Sequence, residues 1–203
     1  NIKKIITNEG FFVFESFYLR DVIKNKVLDF IYHEHLSIFS VKCIKYLCKL
    51  HDLKLINVEA VNTKGGSLRY YVCSKNHRSK INNSIKKFEK LEYDSNCFKI
   101  STFKKLEQKI IQNKKEVNYL LTKIINTNYI LGLGSSISCI TLMYFLDIQD
   151  KFKILLDDNK IKHGMFSPGT NIIVKNPKTF KYSSDQTIVI LAWRFKKNNC
   201  LIT

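Results

Sequence analysis

The stretch IYHEHLSIFS, residues 31–40, sets a tyrosine, two histidines and a glutamate side by side as Tyr32, His33, Glu34 and His35. Three chemistries compete for such a tetrad. A metal site needs convergent ligands, but neighbouring residues diverge on a helix, the H-E-x-x-H pattern is not met, and His33 and His35 share a side only in extended backbone. The tetrad is therefore not read as a metal site. Acid–base chemistry asks for less: an imidazole of ordinary pKa, about 6.5, accepts a proton near neutral pH when a neighbour orients it and stabilises its charged form. Glu34 and Tyr32 are the neighbours that could do this. In the third alternative the four residues cap a helix and satisfy one another, and residue types alone leave that choice open.

Two other groups could meet an anion. Lys64, Ser67 and Arg69 surround Gly65-Gly66 in NTKGGSLR, which reads either as a hairpin-type turn or as a ligand-facing loop. GLGSSIS, residues 132–138, follows a strand-like run. Glycines there would let backbone approach a phosphate and a helix N-terminus receive its charge. The turn lacks a third glycine, so close packing of a strand onto a helix accounts for it equally well.

The elements that must position these residues follow from periodicity. FFVFESF (11–17) predicts a buried strand, YLRDVIKNKVLDFIYH carries apolar residues at roughly helical spacing, and SIFSVKCIKYLCKL (37–50) predicts an amphipathic helix. LKLINVEAV and SLRYYVC predict two strands, close enough across NTKGG to pair antiparallel. From residue 79 to about 128 the pattern is helical, without proline or glycine, and predicts a connector. YILGLGSS, ISCITLMYFLDI, KILLDD and QTIVILAWRF then predict strand, helix, strand and a last buried strand, with HGMFSPGT as a loop, the alternation of a small parallel sheet.

Composition narrows the class. With 203 residues, 45% hydrophobic and 12% aromatic, the chain has enough apolar mass for one large or two small folded domains. The absence of a leader-like start and of a long uninterrupted apolar run predicts a soluble, cytoplasmic protein with no membrane partner. The net charge of +17 raises nucleic acid as a partner. However, the lysines are spread along the whole chain beside many asparagines and isoleucines, as A/T-rich codons produce, and the aromatics sit in apolar runs away from the basic residues, so no nucleic-acid partner is expected. The six cysteines, Cys43, Cys48, Cys73, Cys97, Cys139 and Cys200, form no C-x-x-C pair and are expected as mostly buried free thiols.

Taken in order, FFVFESFYLRDVI, IYHEHLSIFS, TKGGSLRYYV, GLGSSISCITLMYFLDI, LLDDNKIKHGMFSPGT and TIVILAWRF resemble one family, the SAM-dependent C-methyltransferases of nucleotide-linked keto-deoxysugars. The resemblance spans nearly the whole chain. It implies an α/β fold: the C-terminal part of a class I, Rossmann-like methyltransferase domain (1–77), a helical connector (78–128) and a second, small Rossmann-like domain (129–203). Complete members begin with a cysteine-rich zinc module and a glycine-rich S-adenosyl-L-methionine motif. Neither is found here, so the resemblance implies a fragment, inactive alone, whose zinc module and most of whose donor site lie elsewhere.

By the same resemblance His35 is the base that removes the proton next to a sugar ketone, with Glu34 and Tyr32 orienting it or hydrogen-bonding the enolate oxygen; His33 is left to packing or capping. The partner implied is a nucleotide-linked keto-deoxysugar, of the dTDP type. Ser135, Ser136, Lys162, His163 and the loop Pro168 to Thr170, with Gly169, are implied contacts to its sugar or diphosphate. The chain departs from many relatives where they carry a lysine and a Gly-Asn in the glycine turn, since Ser138, Cys139 and Ile140 stand there. A non-catalytic nucleotide-sugar-binding module is the alternative.

Overall fold

The computed structural model describes residues 1–63 and 65–195. The chain divides into two compact units, Asn1–Val27 with Leu36–Leu106, and Leu28–His35 with Glu107–Thr203. The tetrad at 32–35 thus belongs to the second unit.

In the first unit, strands β1 (Phe11–Phe17), β2 (Leu53–Val61) and β3 (Ser67–Ser74) form an antiparallel sheet of order β1-β3-β2. Aromatic and β-branched residues on a pleated ribbon send alternate side chains to one face, which buries Leu68, Tyr70 and Val72 of the central strand. The outer edge of β2 is capped where Asn82 N–H donates to the Ile56 carbonyl and Val58 N–H to Ser84 Oγ, at 2.8 and 3.1 Å. The expected β2–β3 hairpin is present, with Gly66 at φ 127°, a conformation that suits glycine alone.

Helices α1 (Ile2–Ile5), α2 (Leu19–Asn25), α3 (Val41–Leu50) and α4 (Ser84–Asp94) belong to this unit. Helix α3 buries Val41, Ile44 and Cys48 at i, i+3 and i+7, and Ser40 Oγ caps it by accepting the Cys43 N–H at 3.0 Å. Two helical expectations need correction. The periodicity beginning at Tyr18 does not carry a helix through to the tetrad: Lys26 turns left-handed at φ 54° and ends α2, and the Val27 N–H returns to the Val22 carbonyl. The helical stretch from residue 79 is two helices, and α4 packs into the first unit's core through Ile85.

The long helix α5 (Ile100–Ile125) leads into the second unit. There β4 (Tyr129–Leu133), β5 (Ile154–Leu156), β6 (Ile173–Lys175) and β7 (Gln186–Ile190) form the expected parallel sheet, in the order β6-β5-β4-β7. Strand β6 was not predicted by periodicity. Helix α6 (Ile137–Leu146) connects β4 to β5. The core on one face holds Leu121, Ile130, Met143, Leu155 and Leu191; Leu131, Leu133 and Leu156 form a second cluster with Phe180 against it. The last strand is not buried as expected. It lies at the sheet edge with Ile188 and Ile190 each 37% exposed, and it stops at Ile190, after which Trp193–Phe195 form a short 3-10 turn. No described helix is long and apolar enough to cross a membrane.

Candidate functional site

The strand order turns back at β4: one branch runs outward through β5 and β6, the other goes to β7. In open parallel sheets the crevice beyond the carboxyl ends of the strands at such a point is where ligands bind. Two groups of side chains gather at these carboxyl ends.

The first joins residues 28–35 to the segment after β7. Asp29 is only 3% exposed, and its Oδ2 accepts the indole Nε1–H of Trp193 at 3.1 Å. The guanidinium carbon of Arg194 sits 3.9 Å from the centre of the Phe30 ring, and its Nη2 donates to Ser138 Oγ, in the first turn of α6, at 2.9 Å. Beyond Phe30 the chain makes a tight turn, closed by the His35 N–H on the Tyr32 carbonyl at 2.8 Å. This turn, neither extended nor helical, decides the arrangement of the tetrad. The Tyr32 and His35 rings meet at 4.9 Å between centres and 62°, and His35 also meets Phe30 at 5.9 Å. Glu34 and His33 are exposed, with the His33 ring 5.9 Å from Tyr32. The helix that follows starts at Val41 under its own cap, Ser40, so the tetrad does not serve as a helix cap.

The electrostatics of this group follow from partial burial. Burial raises the Tyr32 phenol, Glu34 and Asp29 add to the rise, and Arg194 opposes it. Burial likewise raises the Asp29 carboxyl, offset by the Trp193 hydrogen bond and the Arg194 charge. The phenol therefore stays protonated and can donate a hydrogen bond. Beside it lies the half-buried imidazole of His35.

The second group centres on Asp157, just past β5. Its Oδ2 accepts the Ser135 N–H at 2.8 Å and the Lys162 ammonium at 3.1 Å, while Oδ1 accepts the Asn159 N–H at 2.9 Å. Lys162 also donates to the Ser135 carbonyl at 3.0 Å, and His163 Nε2 lies 2.8 Å from the Asp157 carbonyl oxygen. Burial pushes the Asp157 carboxyl up, but the Asn159 and Ser135 amides together with Lys162 outweigh it and hold it below the usual range. Ser135, Lys162 and His163 are thus brought together, on a carboxylate that absorbs the lysine's charge. Ser136 caps α6, with its Oγ 2.9 Å from that of Ser138. Gly169 lies in its own loop, where its carbonyl accepts the Tyr144 hydroxyl at 2.8 Å.

The glycine turn between these groups is filled by protein. A Cβ on Gly132 would fall 2.6 Å from Leu155 Cδ2, and one on Gly134, at φ 111°, 2.7 Å from the Ala192 Cβ and 2.9 Å from Cys139 Sγ. Close packing therefore accounts for both glycines.

The remaining predicted residues lie in the first unit. Lys64 lies outside the described residues. Ser67 is buried, its hydroxyl donating to the Thr63 carbonyl at 3.3 Å. Arg69 pairs across the strands with Glu15, Nε to Oε1 at 2.9 Å. Cys48, Cys73, Cys97 and Cys139 are buried free thiols and Cys43 is an exposed one, while Cys200 lies outside the described residues. Among the described residues no three His, Cys, Asp or Glu side chains are grouped to hold a metal ion.

Sequence reasoning missed Asp29, Trp193, Arg194 and Asp157. A signal existed for two of them. Asp29 interrupts the apolar run VLDFIY, where a charge must find a partner, and Asp157 directly follows a parallel strand. Trp193 and Arg194 belong to the segment LAWRF that carries part of the resemblance, but nothing local gives either a role.

C-methyltransferase NovU of Streptomyces niveus is 19% identical over 196 residues, which is 96% of this chain and 47% of that protein. The chain thus spans about half the length of the curated relative it matches. The family described as the C-methyltransferase C-terminal domain matches residues 62–200, and the chain belongs to that family.

Proposed function

We propose that this chain carries the acceptor-side residues of an S-adenosylmethionine-dependent C-methyltransferase that acts on a nucleotide-linked 4-keto-deoxysugar, with His35 as the base. Family membership supports methyl transfer, and the resemblance of YHEHLS, GGSLR, PGT and LAWRF supports the sugar substrate. The observation that carries the assignment of the base is the Tyr32–His35 ring pair, half-buried in the unit whose sheet has its turn-back point at β4.

In this reading the His35 imidazole takes the proton from the carbon next to the ketone. The C–H bonding pair becomes the enolate C=C as the carbonyl electrons move to oxygen. Tyr32 donates its hydroxyl hydrogen to that oxygen, and Glu34 stabilises the imidazolium. Ser136, His163 and Gly169 contact the nucleotide sugar, while Lys162, held by Asp157, keeps the Ser135 turn in shape.

S-adenosylmethionine, the usual donor of this chemistry, supplies the methyl group. The glycine turn at 132–136 does not fit it, because Leu155, Leu191, Ala192 and Cys139 occupy the space beside the glycines. In this reading the residues at 132–136 serve the acceptor and not the donor.

That contribution can be read without a methyl donor. In D2O the chain should speed exchange of the hydrogen next to the ketone of a dTDP-4-keto-deoxysugar, followed by proton NMR, and His35→Ala should slow it by about 10²- to 10⁴-fold. Equal exchange by wild type and His35→Ala would remove His35 from the mechanism. Binding of the sugar nucleotide with no exchange by wild type would instead favour a non-catalytic binding module.

A further inference from the structure

We infer that Asp29 is a positioning residue for the Tyr32–His35 pair, acting through Trp193 and Arg194. The inference rests on the proposed function for its chemical meaning, and on the contacts of the second unit for its geometry.

A carboxylate removed from water is costly unless it is hydrogen-bonded, and a core position has no need of one. The side-chain partner of Asp29 is the indole N–H of Trp193, the chain's single tryptophan, at 3.1 Å. Asp29 lies in a turn and Trp193 opens the three-residue 3-10 turn after β7, so no sheet ladder or α-helix fixes the position of either. The bond fastens the start of the 28–35 segment to the end of the segment that leaves β7. The next residue on each side repeats the fastening, as Arg194 stacks on Phe30 at 3.9 Å and reaches Ser138 on α6. Phe30 in turn has Tyr32 at 6.3 Å and His35 at 5.9 Å between ring centres. The two rings proposed to act on the acceptor are thus tied to the carboxyl end of the parallel sheet by a hydrogen bond, a cation–π stack and a second hydrogen bond.

Such a tie matters for a base more than for a fold. Proton abstraction from carbon requires the base to be held within about 0.5 Å and 10–20° of its productive geometry, and the neighbours of a reacting side chain supply that restraint. His35 sits in a turn and not on a rigid element, and contacts of this kind supply restraint that the turn by itself does not.

The test uses three variants of the chain. Asp29→Asn keeps an acceptor oxygen for the indole, Asp29→Ala removes it, and Trp193→Phe removes the donor while keeping a ring. In the exchange assay Asp29→Ala and Trp193→Phe should lose about 10²-fold in kcat with little change in KM, and Asp29→Asn should restore most of the rate. In parallel, NMR of the free chain should show the His35 ring protons moving away from the ring-current positions set by Tyr32 and Phe30 in Asp29→Ala and Trp193→Phe, and staying in Asp29→Asn. Should Asp29→Ala fail to fold, Trp193→Phe answers the same question. If the indole N–H signal moves while the His35 signals and the exchange rate stay, the positioning role is overturned. If wild type shows no exchange at all, the proposed function falls, and the His35 signals alone decide whether Asp29 positions the ring.

Discussion

Each unit buries a carboxylate, and the two are anchored in opposite ways. Glu92 in the first unit is fully buried and accepts the Val41 and Lys42 amides at 2.5 and 3.3 Å, two donors that α3 leaves unpaired in its first turn. Asp29 in the second unit accepts one side-chain donor on a loop. A carboxylate at a helix N-terminus is held by backbone and by the helix dipole, so it stabilises the helix it caps. A carboxylate bonded to an indole, between a turn and a short 3-10 turn, instead fixes where those segments lie. The first serves the fold and the second the placement of side chains near it.

The sharpest way to break this contrast is to delete the helix anchor. Glu92→Ala leaves two amides without their acceptor and opens a gap beside Tyr18 and Tyr70, so unfolding in urea should show a loss of about 3 kcal/mol. A loss comparable to that of a surface substitution would place Glu92 among dispensable groups.

Acidity should separate these carboxylates from Asp157. Burial raises both Glu92 and Asp29, so the folded protein holds their protons more tightly than the unfolded chain. Their contribution is fully present below the ordinary carboxyl range and is lost as pH rises through the raised values. Asp157 has the opposite sign: its contribution is present above the ordinary range and is lost as pH falls through its lowered value. Stability measured against pH should therefore change in opposite directions when Glu92→Gln and Asp157→Asn are compared with wild type, by about 1.4 kcal/mol per pKa unit displaced.

The smallest effect is expected at Asp29→Asn. The amide oxygen can keep the indole bond, so thermal unfolding should differ from wild type by less than about 1 kcal/mol. A loss as large as that of Glu92→Ala would mean that Asp29 too holds up the fold.

Much of this architecture was legible in residue types. FFVFESF, LKLINVEAV and SLRYYVC became strands because their β preference is strong, although Phe11 and Val13 of the first are about half exposed where burial was expected, and the helix expected from Ser37 became α3, which starts only at Val41 after the Ser40 cap. The extent of α2 was misjudged because apolar spacing persists past Lys26, where a left-handed residue ends the helix. Strand β6 was missed because three residues are too few to show a period. In the candidate site the tetrad itself was visible, since four adjacent polar and aromatic residues with acid–base chemistry stand out in an apolar stretch. Its supports were not: Trp193 and Arg194 follow Asp29 and Phe30 by 164 residues, and no local pattern links them.

By itself the sequence determined that this chain is mixed α/β, placed every strand but β6 and the helix α3 to within a few residues, and singled out Tyr32, Glu34 and His35 as residues whose types could do acid–base chemistry. Those outcomes depend on interactions between residues a few positions apart. The tertiary structure alone decided that the tetrad is a turn pairing Tyr32 with His35, that Asp157 takes up the charge of Lys162, that the glycine turn is filled by side chains, and that Asp29 meets Trp193. Each of these depends on which distant segment is packed alongside, and packing is chosen by the whole core at once.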